Sequence, residues 1–120
     1  HEIRYEMWRD NVIEWFQYLM DNRTFVLNIF NSQNRAYLLR YFKGRLHYCV
    51  HSFAVICAEG KNIEWSDLEF VCEFYVNACI GWISQWFDMG MPPIEDHDRE
   101  RYLKLLDGST ENMLARFQKD

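Results

Sequence analysis

Apolar residues recur every three and four positions over nearly the whole chain, and no stretch of strand length alternates apolar with polar. That period belongs to helices. The clearest stretch is Ser66 to Pro93, SDLEFVCEFYVNACIGWISQWFDMGMPP. Ser66 with Glu69 three residues on predicts a capping box at its start. Gly90 predicts a left-handed stop, and Pro92 and Pro93 bar any continuation. Glu69, Glu73, Asn77, Ser84 and Asp88 share one stripe. Val71, Tyr75, Ala78 and Trp82 form one apolar ridge; Cys72, Val76, Cys79, Ile83 and Phe87 form another. A surface helix needs one apolar stripe, and this one has nearly two. The expectation is a helix covered on one side by its own chain and on the other by a second copy.

The other helices follow from the same period. Helix one spans about Glu2 to Met20, with Ile3, Met7, Trp8, Val12, Trp15, Phe16 and Leu19 on one face. After Asp21-Asn22 a short helix, Arg23 to Phe30, carries Phe25, Val26, Ile29 and Phe30. Asn31 to Asn34 is a polar break rich in capping residue types. Helix three runs from Arg35 to Ala58, closed by Gly60, with Leu38, Phe42, Leu46, Cys49, Phe53, Ile56 and Cys57 as its expected core face. Beyond Pro93, Glu95 and Asp96 suit a helix N-terminus. Helix five carries Tyr102, Leu103, Leu105 and Leu106 and breaks at Asp107-Gly108. Ser109 or Thr110 is the expected cap of a last short helix with Met113, Leu114 and Phe117.

Composition narrows the picture further. The chain has 120 residues, one domain's worth, with 18% aromatics, 2 prolines and 5 glycines. Scarce Pro and Gly fit helices better than strands and turns. A net charge of −5 leaves no basic footprint for nucleic acid. No run reaches the length and apolarity of a membrane span, and no signal peptide is visible. Cys49, Cys57, Cys72 and Cys79 all fall inside expected helices at apolar positions, the usage of a reducing cytoplasm. The first residue is His1, which reads as the cut edge of a longer protein.

Candidate chemistry is sparse. His47 and His51 are four apart, a spacing that lets two imidazoles share a metal. Residue 48 is Tyr, so no HExxH forms, and no third ligand is named; polar-face or pocket histidines are the favoured reading. The cysteines form no CxxC, which favours core packing over structural zinc. Asp96, His97, Asp98 and Glu100 read as a solvated helix start, offset by Arg99 and Arg101. No nucleophile elbow or phosphate loop is present, so nothing supports an enzyme or a cofactor. Tyr37, Tyr41, Tyr48, Phe53, Phe74 and Tyr75 are core or the wall of a ligand cavity.

One stretch carries a family resemblance. FYVNACIGWISQWFDMGM has an aromatic pair at Phe74-Tyr75, then Ala78, Gly81, Ile83, Trp86, and Gly90-Met91 before a new helix. PPIEDHDRERYLKLL continues it as an acid-rich helix start after a Pro turn. This resembles the C-terminal domain of TetR-family transcriptional regulators, of the variety common in Firmicutes. The match is tighter over residues 70 to 106 and looser elsewhere, including RAYLLRYF. Residue 78 is Ala where the family pattern often has Gly.

The resemblance implies an all-α bundle of five to six helices, whose last two long helices form a four-helix interface with a second copy. It implies a cytoplasmic homodimer that touches DNA only through an N-terminal helix-turn-helix expected ahead of Glu2. It also implies an effector site among the remaining helices. For that site the expected residues are Tyr48, His51, Phe53, Tyr75 and Asn77, around a small hydrophobic effector, expected to be neutral or cationic because the 18 acidic residues outnumber the 13 basic ones. For the dimer face they are Ala78, Trp82, Leu103 and Leu106. The alternatives are a stand-alone helical interaction module without a ligand and, more weakly, a metal sensor built on His47 and His51. An apolar-walled cavity between helices one, three and four separates the first two readings.

Overall fold

A computed structural model describes residues 2–120, with side chains from Glu6 onward. Ile3 therefore lies outside the described side chains. Six helices follow one another: α1 (Glu2–Asp21), α2 (Arg23–Phe30), α3 (Arg35–Ala58), α4 (Trp65–Asp88), α5 (Asp96–Leu106) and α6 (Ser109–Ala115). No strand occurs among the described residues. The helical period thus places the first four helices within a residue or two of their observed ends.

The ends of the helices divide into those that follow the expectation and those that do not. At the end of α4, Gly90 takes φ +83°. Its N–H donates to the Phe87 carbonyl and the Met91 N–H to the Trp86 carbonyl, both at 2.9 Å. This pair of bonds is a Schellman stop. Met91 itself has φ +53°. A residue with a Cβ resists that region, and two features hold it there. Its side chain is fully buried, and the Arg23 guanidinium donates to the carbonyls of Gly90 (2.6 Å) and Met91 (3.2 Å).

The expected capping box is absent. α4 starts at Trp65 with Glu64 as an extended N-cap, and no side chain caps it. Ser66 sits one residue inside the helix, and Glu69 is drawn away to His51 on α3 at 2.6 Å. Glu64 is occupied by Lys119. At α6 the N-cap is Gly108, at φ +71°, rather than Ser109 or Thr110. Ser109 Oγ instead donates back to the Leu106 carbonyl at 2.9 Å, and Thr110 is buried. The Asn31–Asn34 break keeps its polar role through Ser32, whose hydroxyl bonds Ile29 O and Asn34 N–H.

α3 and α4 form the central pair, with charge complementarity along their seam. α3 carries Arg and Lys and no acid; α4 carries Asp and Glu and no base. Lys43 meets Glu73 at 3.2 Å, His51 meets Glu69, and Arg35 meets Asp88 at 4.0 Å. Around this pair the core forms in two parts. One gathers Trp8, Val50, Ala54, Cys57, Leu68, Val71, Cys72, Tyr75, Val76 and Leu114. The other gathers Leu19, Val26, Phe30, Leu38, Phe42, Trp86, Phe87 and Met91. Ile80 packs on both. The α3 core face runs through Val50 and Ala54, whereas Cys49 is half-buried and Ile56 exposed. The apolar positions of α3 are spread too evenly for period alone to fix its inward edge.

The domain is thin for its mass. Its extents are 49 × 31 × 17 Å, so it is about two helices deep. Its radius of gyration is 15.5 Å, where a compact chain of this length would have about 14 Å. It exposes 8116 Å², against about 6,900 Å² for a compact monomer of its mass.

Candidate functional site

The five residues expected to line an effector site are dispersed. Trp8 brings two of them together: its ring stacks on Phe53 at 5.2 Å and tilts toward Tyr75 at 6.1 Å. That contact is packed core. Tyr75 is buried, and its hydroxyl lies 3.1 Å from Ser109 Oγ, whose own proton goes to Leu106 O. Burial pushes the Tyr75 phenol up to about 12. His51 is held by Glu69, with its ring edge on Trp65 at 5.2 Å. Tyr48 is 71% exposed on the outward side of α3. Asn77 is exposed on α4 and donates to Glu73.

The metal reading gains little from the geometry. His47 and His51 have ring centroids 5.7 Å apart. His51 Nε2 already faces Glu69. Among the described residues no group of three His, Cys, Asp or Glu side chains is placed to hold a metal ion. Among the described residues no cysteine forms a disulfide, and burial raises the thiols of Cys72 and Cys79 to about 11. A thiol held protonated in this way packs as a small hydrophobe rather than reacting.

Two cavities lie elsewhere, between α1, α4 and α5. One cavity of about 230 Å³ is lined by Trp82, Gln85, Trp86, Met89, Pro92, Pro93, Ile94, Asp98 and Tyr102. Its neighbour, about 160 Å³, is lined by α1 and α5, including Val12, Phe16, Met20, Arg99 and Leu103. Ile94 and Tyr102 line both. Here the aromatic rings form a continuous set. Phe16 meets Trp82 and Trp86 edge-on at 5.6 Å each, Trp82 stacks on Trp86 at 5.6 Å, and Tyr102 stands against Trp82 at 5.0 Å.

The four residues expected at a dimer face also part company. Ala78 is exposed on α4. Trp82 turns inward to Phe16 and donates its indole N–H to Tyr102 OH at 3.2 Å. Leu103 lines the smaller cavity, and Leu106 packs on the first core part. What lies open on α4 is a stripe at four- and three-residue steps: Phe70, Phe74, Ala78 and Gly81. Phe70 and Phe74 are both more than 60% exposed. Nothing within 4 Å would meet a Cβ added at Gly81. The sequence signal for this stripe was present in its spacing, but the ridge Val71–Tyr75–Ala78–Trp82 straddles the boundary between the buried and open faces.

With the helices and spaces in place, the comparison with protein families is decisive. A model described as "Transcriptional regulator C-terminal region", of the TetR class, matches residues 6–108. The chain belongs to the TetR family of transcriptional regulators, as a C-terminal region. A comparison with curated proteins and one with solved structures each find no match. The match takes in all of α2 to α5 and most of α1. It thus covers both the open stripe of α4 and the two cavities. No helix among the described residues of this regulator is long and apolar enough to cross a membrane.

Proposed function

We propose that this domain is the effector-binding and dimerisation part of a TetR-like regulator. It would couple a signal, a small molecule or a protein, to DNA binding by a reading domain ahead of it in the full regulator, in the cytoplasm. The observation that carries the reading is the open stripe Phe70–Phe74–Ala78–Gly81 on a domain that exposes about 1,200 Å² more than a compact monomer would. Two copies joined on that stripe, with α5 alongside, would cover the face that one chain leaves bare. The area is of the size a stable two-fold contact needs. Small residues at Ala78 and Gly81 allow two α4 helices to approach closely, flanked by the Phe rings.

Sedimentation tests this directly. The wild-type chain should sediment as a dimer at tens of micromolar. Phe74→Glu places a charge in the contact and should weaken association by about 30-fold or more, the loss typical of an interface hot spot. Phe74 is exposed in the single chain, so the monomer should stay folded. A wild type that stays monomeric contradicts the dimer reading. Trp82→Glu is a poorer test, because Trp82 also holds Phe16 and Tyr102.

A specific observation favours a protein signal as a second input. Tyr37, Tyr41 and Tyr48 run along the outward side of α3, each at least 60% exposed. Arg40 lies over the Tyr37 ring at 5.1 Å. Tyr and Arg are the residues enriched in binding hot spots, and a helix free of acids favours an acidic partner. Replacing the three tyrosines with Ser should abolish partner-dependent regulation while leaving the sedimentation unchanged. Regulation that survives the triple change removes this reading.

A further inference from the structure

The outward side of α3 has the relief and the charge of a docking surface. At about 100° per residue, Tyr37, Tyr41, Gly44, Tyr48 and Val55 fall on one stripe, on the side away from the buried Val50 and Ala54. From Tyr37 to Val55 the stripe is about 27 Å long at about 1.5 Å per residue. Its three phenol rings are each more than half exposed. Between Tyr41 and Tyr48 the surface drops to Gly44, where nothing lies within 4 Å of an added Cβ. Rings on either side of bare backbone make a ridge with a notch, the relief into which side chains of a second helix settle. The charge is as particular. α3 carries Arg35, Arg40, Lys43 and Arg45 and no acid, on a chain of net charge −5. Lys43 and Arg35 turn to Glu73 and Asp88 of α4. Arg40 and Arg45 lie roughly 70° to either side of the stripe. Both are exposed, Arg40 leans over the Tyr37 ring at 5.1 Å, and neither meets a carboxylate among the described residues.

From this relief and this charge we infer that the outward stripe of α3 docks an acidic amphipathic helix of another protein. Its apolar side chains sit between the tyrosine rings and over Gly44, and its carboxylates reach Arg40 and Arg45 from both sides. A guanidinium offers a carboxylate two parallel donors, which fixes the orientation of the incoming helix. Charge steers such a partner to the basic face of an otherwise acidic protein. A second copy of this chain fits badly: a two-fold contact on the stripe sets Arg40 and Arg45 against their own equivalents with no acid between them. A nucleic-acid backbone fits badly too. It would pass Glu69 and Glu73 on the adjoining α4, with two guanidiniums that lack a carboxylate partner to neutralise its phosphates. The inference rests on the protein-signal reading above and gives that partner its form and charge.

The test uses this chain, isotope-labelled, with a synthetic helix of Glu and Ala that carries Leu at four- and three-residue steps. At about 20 residues it spans the stripe. A twin peptide has Lys in place of every Glu. The acidic helix should shift the amides of residues 37–48 saturably, and its affinity should fall about tenfold from about 0.05 to about 0.3 M salt. The Lys twin should bind at least about tenfold more weakly. Arg40→Glu together with Arg45→Glu, both at exposed positions, should reverse the preference between the two peptides. Gly44→Leu fills the notch without a clash and should weaken the acidic helix by about tenfold. Equal binding of the two peptides, shifts confined to residues 70–81 of α4, or no saturable shift overturns the inference. So does tighter binding of phosphatidylglycerol vesicles or duplex DNA through Arg40 and Arg45, which would assign the stripe to a membrane or a nucleic acid. A change of sedimentation in the Arg40, Arg45 variant would make the stripe a contact between copies and overturn it as well. Where no peptide binds but the triple tyrosine change still abolishes regulation, the protein-signal reading stands and the acidic helix falls.

Discussion

Two short helices follow the long pair, and they meet the domain differently. α6 has seven residues and buries Thr110 and Leu114. α5 has eleven and buries none. Length would predict the reverse. Composition explains it: α5 reads DHDRERYLKLL, with charges at Asp96, Asp98, Arg99, Glu100, Arg101 and Lys104, so it has no continuous apolar stripe to lay on a core. α6 places Met113 and Leu114 on the first core part, where Leu114 is fully buried. α6 is therefore seated within one chain. Around α5, both cavities remain and Leu105 is 75% exposed, while the open stripe of α4 runs from Phe70, whose ring meets Phe117 just past α6 at 6.4 Å, to Gly81. The lesson is that the short helix with an apolar stripe is seated by one chain alone, and the longer one without it is not.

The largest effect that probes this contrast comes from leucine truncation in the two helices. Leu114→Ala should cost about 2–5 kcal/mol, the range for a fully buried Leu. Leu105→Ala, made in the same monomeric conditions, should fall within about 0.5 kcal/mol of wild type. Urea unfolding at low protein concentration measures both. Equal costs would erase the distinction between a seated and an unseated helix.

A smaller effect probes the seat of α6 by pH. The Tyr75 phenol is pushed up to about 12 from its ordinary 10, because ionising it would charge a buried oxygen. The folded state thus holds this proton more tightly than the unfolded state. Stability from this group is whole below pH 10 and is lost as pH rises from 10 toward 12. Cys72 and Cys79, raised to about 11, begin the same decline from their ordinary 9. Tyr75→Phe should cost about 1 kcal/mol at neutral pH, from the hydrogen bond to Ser109. It should also flatten the part of the decline above pH 10 and leave the part that begins at 9. An unchanged alkaline profile in Tyr75→Phe would place its hydroxyl in contact with water.

Much of this architecture was legible in the sequence. Six helices, their order and the Gly90 stop followed from period and from Gly and Pro, because these are local properties of the backbone. The helix starts were less legible. Ser66–Glu69 has the capping spacing, but Glu69 is worth more to His51 across the α3–α4 seam, and a tertiary partner does not appear in a local motif. The exposed face of α4 was legible in part. Ala78 lies on it, while Trp82 turns inward to Tyr102 and Leu106 packs on the core, because helical phase cannot separate a residue at the edge of a buried face from one at the edge of an exposed face. The cavities depend on Pro92, Ile94, Asp98 and Tyr102 meeting Trp82 and Trp86. That meeting is set by the turn after α4, where Met91 takes a left-handed conformation held by Arg23, and no spacing in the sequence predicts it.

The central claim, that α6 is seated within one chain and that α5 becomes seated only against a second copy, is tested most directly by hydrogen exchange along α5 and α6 as a function of protein concentration. Amides of α6 should show protection that is high and independent of concentration. Amides of α5, which buries no residue in the single chain, should exchange fast in dilute solution and gain protection as the dimer fills. Equal protection of α5 and α6 at every concentration would contradict the account.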